Sequence, residues 1–336
     1  MKNYIINKTK EIEKELATIE KIPENSFDAD AEEKALIEPL FYLLKSGGKR
    51  LRPVLACLIA DIFSVINPEI TRLSLVCELV HNATLMIDDI EDESKKRRGN
   101  DCAYLKYGVS LTINAGNYWY FWPLKIVFDS QNLSTIQKEL YTKLFWEKMI
   151  DLHRGQAMDI YWAKEKKYNI SYQKYKQMSQ LKTGSMLSMA LLTGGIVAEL
   201  DQSKLENLNK IAYMMGLAFQ MRDDILDVTA TDDNWGKLIN QDIWEGKLTS
   251  LVVKTLEVAN DSDRNEIMNI LTKEKTDQDI IKIKDFYSRY NTIETIQLEA
   301  EQLVEDIKKS GKDFLPDNQY SDIFWEITDY LVKREK

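Results

Sequence analysis

The chain has 336 residues, a formal net charge of −9, and only 13 glycines and 6 prolines. Sparse helix breakers favour long helices and the length is ample for one large core. The acidic balance speaks against duplex nucleic acid as a partner, while leaving room for a local basic pocket that takes an anion. Three cysteines, Cys57, Cys77 and Cys102, match no zinc spacing, and their odd number argues against a disulfide framework, so a reducing, cytoplasmic setting is expected.

Residues 2–20 are expected to form an amphipathic helix without a secretory signal, followed by a polar linker with Pro23, Asn25 and Asp28. Helical spacing resumes at Ala31 and runs to Lys45, where Gly47-Gly48 stops it. Pro53 sits near the start of the next helix, where a missing N–H costs little, and Pro68 separates that helix from one ending at Asp88–Asp92. Further helices are expected over about 101–128, 134–163, 172–198, 203–229, 247–259, 262–273, 277–288, 292–309 and 319–334. No strand alternation, short repeat or low-complexity tract stands out. The apolar runs Val54–Ile66 and Met186–Ala198 fall short of a membrane span. The polar stretch 231–246, TDDNWGKLINQDIWEG, reads as a functional loop rather than a boundary. The expectation is one all-α domain covering 1–336.

The chemistry concentrates in two matched clusters. Asp88, Asp89 and Asp92 stand at i, i+1 and i+4 at the end of an apolar helix, and Asp223, Asp224 and Asp227 repeat the same offsets. On a helix these positions aim at one volume. One such cluster alone is as well read as a solvated helix terminus. Two, more than a hundred residues apart, are hard to assign to solubility. If the two helices face each other, six carboxylates surround a gap that needs cations, and oxygen-only ligands suit Mg²⁺ held together with substrate phosphates. Basic residues are spread to match: Lys49, Arg50 and Arg52 after two glycines, Arg97 and Arg98 after the first triplet, Lys182 in KTGS, and Lys237 and Lys247 around the loop after the second. Each alone is more often a surface charge. Together they describe a polyphosphate site in which Arg gives bidentate contacts and Lys acts as a point charge.

The motifs GGKRLRP, DDIED followed by RRG, LHRGQAMDIYW, KTG, FQMRDDILD and GKLINQDIWEGK occur in the order found in the trans-isoprenyl diphosphate synthases, which this chain resembles from Gly47 to Lys247. HNATLMIDDIEDESKKRRG, NYWYF and LHRGQAMDIYW are most similar to the eukaryotic type of geranylgeranyl diphosphate synthase. The resemblance implies antiparallel helices around a central cavity, a homodimer, and condensation of isopentenyl diphosphate with an allylic diphosphate after ionisation of its C–O bond. Metal ions and Lys/Arg would stabilise the leaving diphosphate.

By the same resemblance, Asp88, Asp89, Asp92, Asp223, Asp224 and Asp227 would bind three Mg²⁺ ions. Arg97, Lys182, Lys237 and Lys247 would contact the allylic diphosphate. Lys49, Arg52, His81 and Arg98 would hold isopentenyl diphosphate, although His81 also fits the description of a core histidine. Thr183 and Gln220 would stand beside the carbocation. Small residues at Ala83 and Thr84, about 6–7.5 Å below Asp88 at about 1.5 Å per residue, would let a fifteen-carbon chain pass. Tyr120, Phe121 and His153 would form the floor near twenty carbons, although both aromatics also suit an ordinary core. Alternatives are a longer-chain synthase, a class I terpene cyclase and an inactive partner subunit. Removing one aspartate from either triplet is expected to leave the fold intact, because like charges repel. The basic tail VKREK receives no role.

Overall fold

The computed structural model describes residues 1–20, 26–230 and 239–334. Its helices fall into two compact units. The first comprises Met1–Glu147, Ser188–Asn209 and Leu315–Phe324, and the second Lys148–Leu187, Lys210–Phe314 and Trp325–Lys336.

The first unit opens with α1 (Lys2–Ile19), which buries Ile12, Leu16 and Ile19. Next come α2 (Ala29–Glu32), a π-helical turn (Glu33–Ile37), α3 (Glu38–Lys45) and α4 (Leu51–Ile62). Nearly every side chain of α4 from Pro53 to Ile62 is buried, and Pro53 lies in its first turn, where the helix needs no donor. Then α5 (Ile70–Glu91) crosses the unit, with Asp92 as its C-cap. By length and composition alone α5 would span a membrane, but 67% of its apolar window is buried inside the protein, so it reads as a core helix. The sequence reading overlooked it because Glu78 and His81 interrupt its apolar run.

A small hairpin follows, β1 (Lys96–Arg97) with β2 (Asn100–Asp101), pairing Lys96 with Asp101 and Arg97 with Asn100. Its turn residues Arg98 and Gly99 have φ of 52° and 78°, as a two-residue hairpin turn requires. Strands of two residues leave no alternation to read, which is why this hairpin was not expected. The helix expected over 101–128 is three: α6 (Ala103–Tyr107), α7 (Val109–Phe121) and α8 (Leu124–Asp129), broken at Gly108 and Pro123.

Beyond them, α9 (Thr135–Lys164) continues from the first unit into the second. The expected 172–198 helix is α10 (Tyr172–Ser179), a π-helical turn (Gln180–Gly184) and α11 (Ser185–Val197). Then come α12 (Gln202–Thr229), α13 (Gln241–Glu245), α14 (Ser250–Val258), α15 (Asp261–Thr272), α16 (Asp277–Arg289), α17 (Thr292–Lys312) and α18 (Gln319–Lys333). The second unit's core joins Tyr175 of α10, Met221 and Ile225 of α12, Leu251 of α14, Ile283 and Tyr287 of α16, and Ile296 of α17. Within the stretch read as a loop, α13 is helical, and residues 231–238 lie outside the described ones.

Candidate functional site

In the first unit, Asp88 and Asp89 occupy the last turn of α5 and Asp92 caps it. They are not equivalent. Asp89 is 1% exposed and accepts hydrogen bonds from Arg97 Nε at 2.8 Å and Nη2 at 2.5 Å. Arg97 Nη2 lies 3.6 Å from Asp88 Oδ2. Burial pushes the Asp89 carboxyl up, against the pull of Arg97. The hairpin thus delivers a guanidinium to the triplet, the reason the two motifs adjoin in sequence. Arg98 turns the other way. Its Nη1 donates to the carbonyls of Leu43, at 3.0 Å, and Gly47, so it braces the α3–α4 turn that carries Lys49 and leads into the first turn of α4 with Arg52. Lys49 is exposed and Arg52 half-buried.

His81 lies two turns before Asp88. Desolvation, then the guanidiniums of Arg52, Arg98 and Arg97, drive its imidazole well below its ordinary 6.5. It is therefore neutral at physiological pH, able to hydrogen-bond without adding charge. Below about pH 6.5 the unfolded chain takes up a proton that folded His81 refuses, so this group's contribution to stability falls as the pH falls. With only 2 histidines in the chain, NMR tests this directly: the His81 ring resonances stay flat between pH 8 and 6.

In the second unit, α12 carries the other triplet. Asp224 is 3% exposed and accepts from Tyr175 Oη at 2.6 Å, the Ser250 N–H at 2.7 Å and Gln220 Nε2 at 3.0 Å. The Ser250 N–H is an otherwise unsatisfied donor at the start of α14. Burial, and then the nearby Asp242 charge, push the Asp224 carboxyl up to about 6. Asp227 accepts from the Asp242 N–H at 3.3 Å and, through its carbonyl, from the Asn240 N–H at 2.8 Å, tying α13 back onto α12. Asp223 is ion-paired to Arg334. Arg334 is 7% exposed, lies 4.0 Å over the Phe219 ring, and has its carbonyl held by Arg222 Nε and Nη2 at 2.9 and 2.7 Å. Arg334, from the basic tail that received no role, therefore docks on the second triplet. No sequence signal pointed there, because 111 residues separate the partners.

Close helix packing sets the remaining groups of this unit. A Cβ on Gly216 of α12 would stand 2.4 Å from Gly184 Cα, so glycine lets the π-helical turn lie against α12. There Thr183 Oγ1 donates to Gln220 Oε1 at 2.9 Å, and Gln220 passes the order on to Asp224. Lys182 Nζ donates to Asp159 Oδ2 at 2.7 Å, a partner the sequence reading missed, although it lies in LHRGQAMDIYW. Lys247 Nζ is 2.8 Å from Glu245. Lys237 lies outside the described residues.

Phe121 is 57% exposed and packs against Trp146 at 6.2 Å, whereas Tyr120 is 9% exposed. Neighbours on a helix point about 100° apart, so Tyr120 faces the interior of its unit while Phe121 keeps much of its surface outside. His153 is exposed, with Nδ1 2.8 Å from the Met149 carbonyl oxygen. Ala83 is fully buried, while Thr84 keeps accessible surface directly one turn below Asp88. Asp224 is a structural acceptor, so removing it does not relieve strain. Among the described residues, no three His, Cys, Asp or Glu side chains converge as a ready metal cluster. The donor set is nonetheless oxygen-only, as a hard divalent ion demands, and each triplet has a guanidinium at one of its carboxylates.

Residues 33–288 match the family model described as polyprenyl synthetase. A terpene synthase from Matsumurasca onukii is 30% identical over 88% of this chain and 95% of its own length. A geranylgeranyl pyrophosphate synthase from Dictyostelium discoideum is 32% identical over 85% of this chain and 92% of its own. Among solved structures, a decaprenyl diphosphate synthase from Rhodobacter capsulatus superposes with a TM-score of 0.85 at 23% identity, covering 99% of both chains. A geranylgeranyl pyrophosphate synthase from Corynebacterium glutamicum, complexed with isoprenyl diphosphate and magnesium, gives 0.82 at 22% identity, covering 99% of this chain and 98% of that one. These likenesses show the all-α fold of the isoprenoid synthases.

Proposed function

This chain belongs to the polyprenyl synthetase family and is a trans-prenyltransferase, and from that premise we propose that it condenses isopentenyl diphosphate with farnesyl diphosphate to give geranylgeranyl diphosphate. The observation that carries the reading is the pair of aspartate triplets, each set on its helix beside an arginine. Under this reading both units serve one catalytic domain, and the family match runs through both. The donor chemistry, and the magnesium in the Corynebacterium structure, support divalent ions held by Asp88, Asp89 and Asp92 of the first unit and by Asp223, Asp224 and Asp227 of the second. Bound there, magnesium would supply the positive charge that makes diphosphate a good leaving group.

The chain's own residues do the rest. Arg97, Lys182, Lys247 and Lys237 would bind the allylic diphosphate and hold its charge as the C–O bond breaks. Lys49, Arg52, Arg98 and neutral His81 would orient isopentenyl diphosphate. The hydrogen-bond relay from Thr183 through Gln220 to Asp224 fixes the Thr183 hydroxyl and Gln220 carbonyl oxygens, which would face the allylic cation.

Product length supplies the test. Thr84 keeps accessible surface about 6 Å below Asp88, beside the fully buried Ala83. Thr84→Phe is expected to shorten the main product to farnesyl diphosphate, read by reverse-phase analysis of dephosphorylated products. Wild-type products of thirty carbons or more would favour a longer-chain synthase, as the Rhodobacter structure represents. Cyclised hydrocarbon made without isopentenyl diphosphate would favour the terpene-synthase reading.

We also propose a homodimer, supported by exposed apolar side chains of the first unit. Val109, Ile113 and Phe121 of α7 are 47%, 39% and 57% exposed, and Ile136, Leu140 and Trp146 of α9 are 70%, 37% and 46% exposed. The three on α7 are spaced by multiples of four and share one face. Exposed apolar surface of this kind supports an interface. Phe121→Glu is expected to shift the sedimentation mass from dimer to monomer.

A further inference from the structure

The α3–α4 turn, Ser46 to Arg50, is held from inside by an arginine to which neither the substrate roles above nor the triplets give a task. Arg50 follows Lys49 and precedes Arg52 by two residues, yet it is 3% exposed. Its guanidinium is fully committed. Nε donates to Glu13 Oε1 of α1 at 2.7 Å, Nη1 to Glu78 Oε1 of α5 at 3.0 Å, and Nη2 to the Leu44 carbonyl at 2.7 Å. Asn82 Nδ2 steadies Glu78 Oε1 at 3.0 Å. Arg50 itself adopts φ 46°, and Gly47 and Gly48 have φ 100° and 143°. This backbone does not hold its shape by local preference. A Cβ on Gly48 would stand 2.9 Å from Arg50 Nη1 and 3.4 Å from the Arg98 guanidinium, so the glycine makes room for both arginines under the turn.

We propose that Arg50 is the positioning residue of the acceptor-diphosphate site. Its buried guanidinium, clamped between Glu13 and Glu78, fixes the turn in the strained conformation that presents Lys49 and Arg52 to the diphosphate of isopentenyl diphosphate. The clamp makes the N-terminal helix part of that site's rigidity, although α1 carries none of its ligands. A loose turn would leave both charges present but unaligned, and a ligand would then pay to order them. The loss would fall on acceptor affinity and spare the allylic substrate. This inference rests on the acceptor-site reading given above.

The test uses full-length protein and isothermal titration with isopentenyl diphosphate alone, which no allylic primer can consume. Glu13→Gln alters a half-exposed side chain far along α1, and the fold should tolerate it. Its Kd for isopentenyl diphosphate is expected to rise about tenfold, with KM for farnesyl diphosphate and kcat within about twofold. The pair Arg50→Met with Glu78→Leu removes the clamp without leaving a buried charge, and Kd is expected to rise further. Arg50→Lys, which keeps the charge and loses the fork, falls between. Unchanged acceptor affinity in folded Glu13→Gln and Arg50→Met/Glu78→Leu proteins overturns the proposal, as does equal weakening of both substrates. Wild-type protein that fails to bind isopentenyl diphosphate overturns the acceptor-site reading itself, and the clamp's role with it.

Discussion

Asp88→Ala leaves the protein folded and lowers kcat by about 10²–10³-fold, the loss expected when one group stabilising transition-state charge is removed. Its side chain is 18% exposed, and the nearest Arg97 nitrogen lies 3.6 Å away, beyond a good hydrogen bond. Arg97 keeps both of its bonds to Asp89, so its guanidinium stays paired, and the effect of the substitution on stability is expected to stay within about 1 kcal/mol. Thermal melts of the metal-free protein, beside turnover at saturating Mg²⁺, read the two effects separately. Near-normal turnover would remove the first triplet from the mechanism.

Asp224→Ala behaves differently although the two residues hold matching places in their motifs. It strands Tyr175 Oη, 1% exposed as a residue, and the N–H of Ser250, 0% exposed. Each unsatisfied buried donor costs about 1–3 kcal/mol, so the variant loses about 2–6 kcal/mol, visible in urea denaturation. Gln220 Nε2, the third donor, is half-buried and can turn elsewhere. Asp224→Asn keeps an acceptor oxygen and most of the stability, while losing the charge and with it turnover. An alanine variant as stable as wild type would show that the Tyr175 and Ser250 contacts do not hold α10 and α14 to α12.

These two residues show what the sequence can and cannot disclose. The triplets were legible because helix periodicity turns an i, i+1, i+4 spacing into a common direction. The helices were legible because breakers are few. What each carboxylate touches was not, because Tyr175 and Ser250 reach Asp224 across 49 and 26 residues, and such pairings follow only from packing. Arg334 on Asp223 and Glu13 on Arg50 escaped for the same reason. For Tyr120 and Phe121, motif likeness gives the residues, while the facing of each depends on the phase of its helix. Asp159 was within reach, since it sits in a motif already singled out.

The π-helical turn Gln180–Gly184 has a consequence for how this gene can drift in length. Such a turn holds one residue more than a regular helix would, and here it holds Lys182 and Thr183. Deleting any single codon within it would let α10 and α11 fuse into a regular helix. The flanks would keep nearly the same phase, because the wide turn is what absorbs the extra residue, while the side chains inside it would each move by one position. The oxygen of Thr183 would leave Gln220, and Gly184 would no longer meet Gly216. Substitutions here can be graded in effect, whereas a frame-preserving loss of one residue moves every group in the wide turn at once.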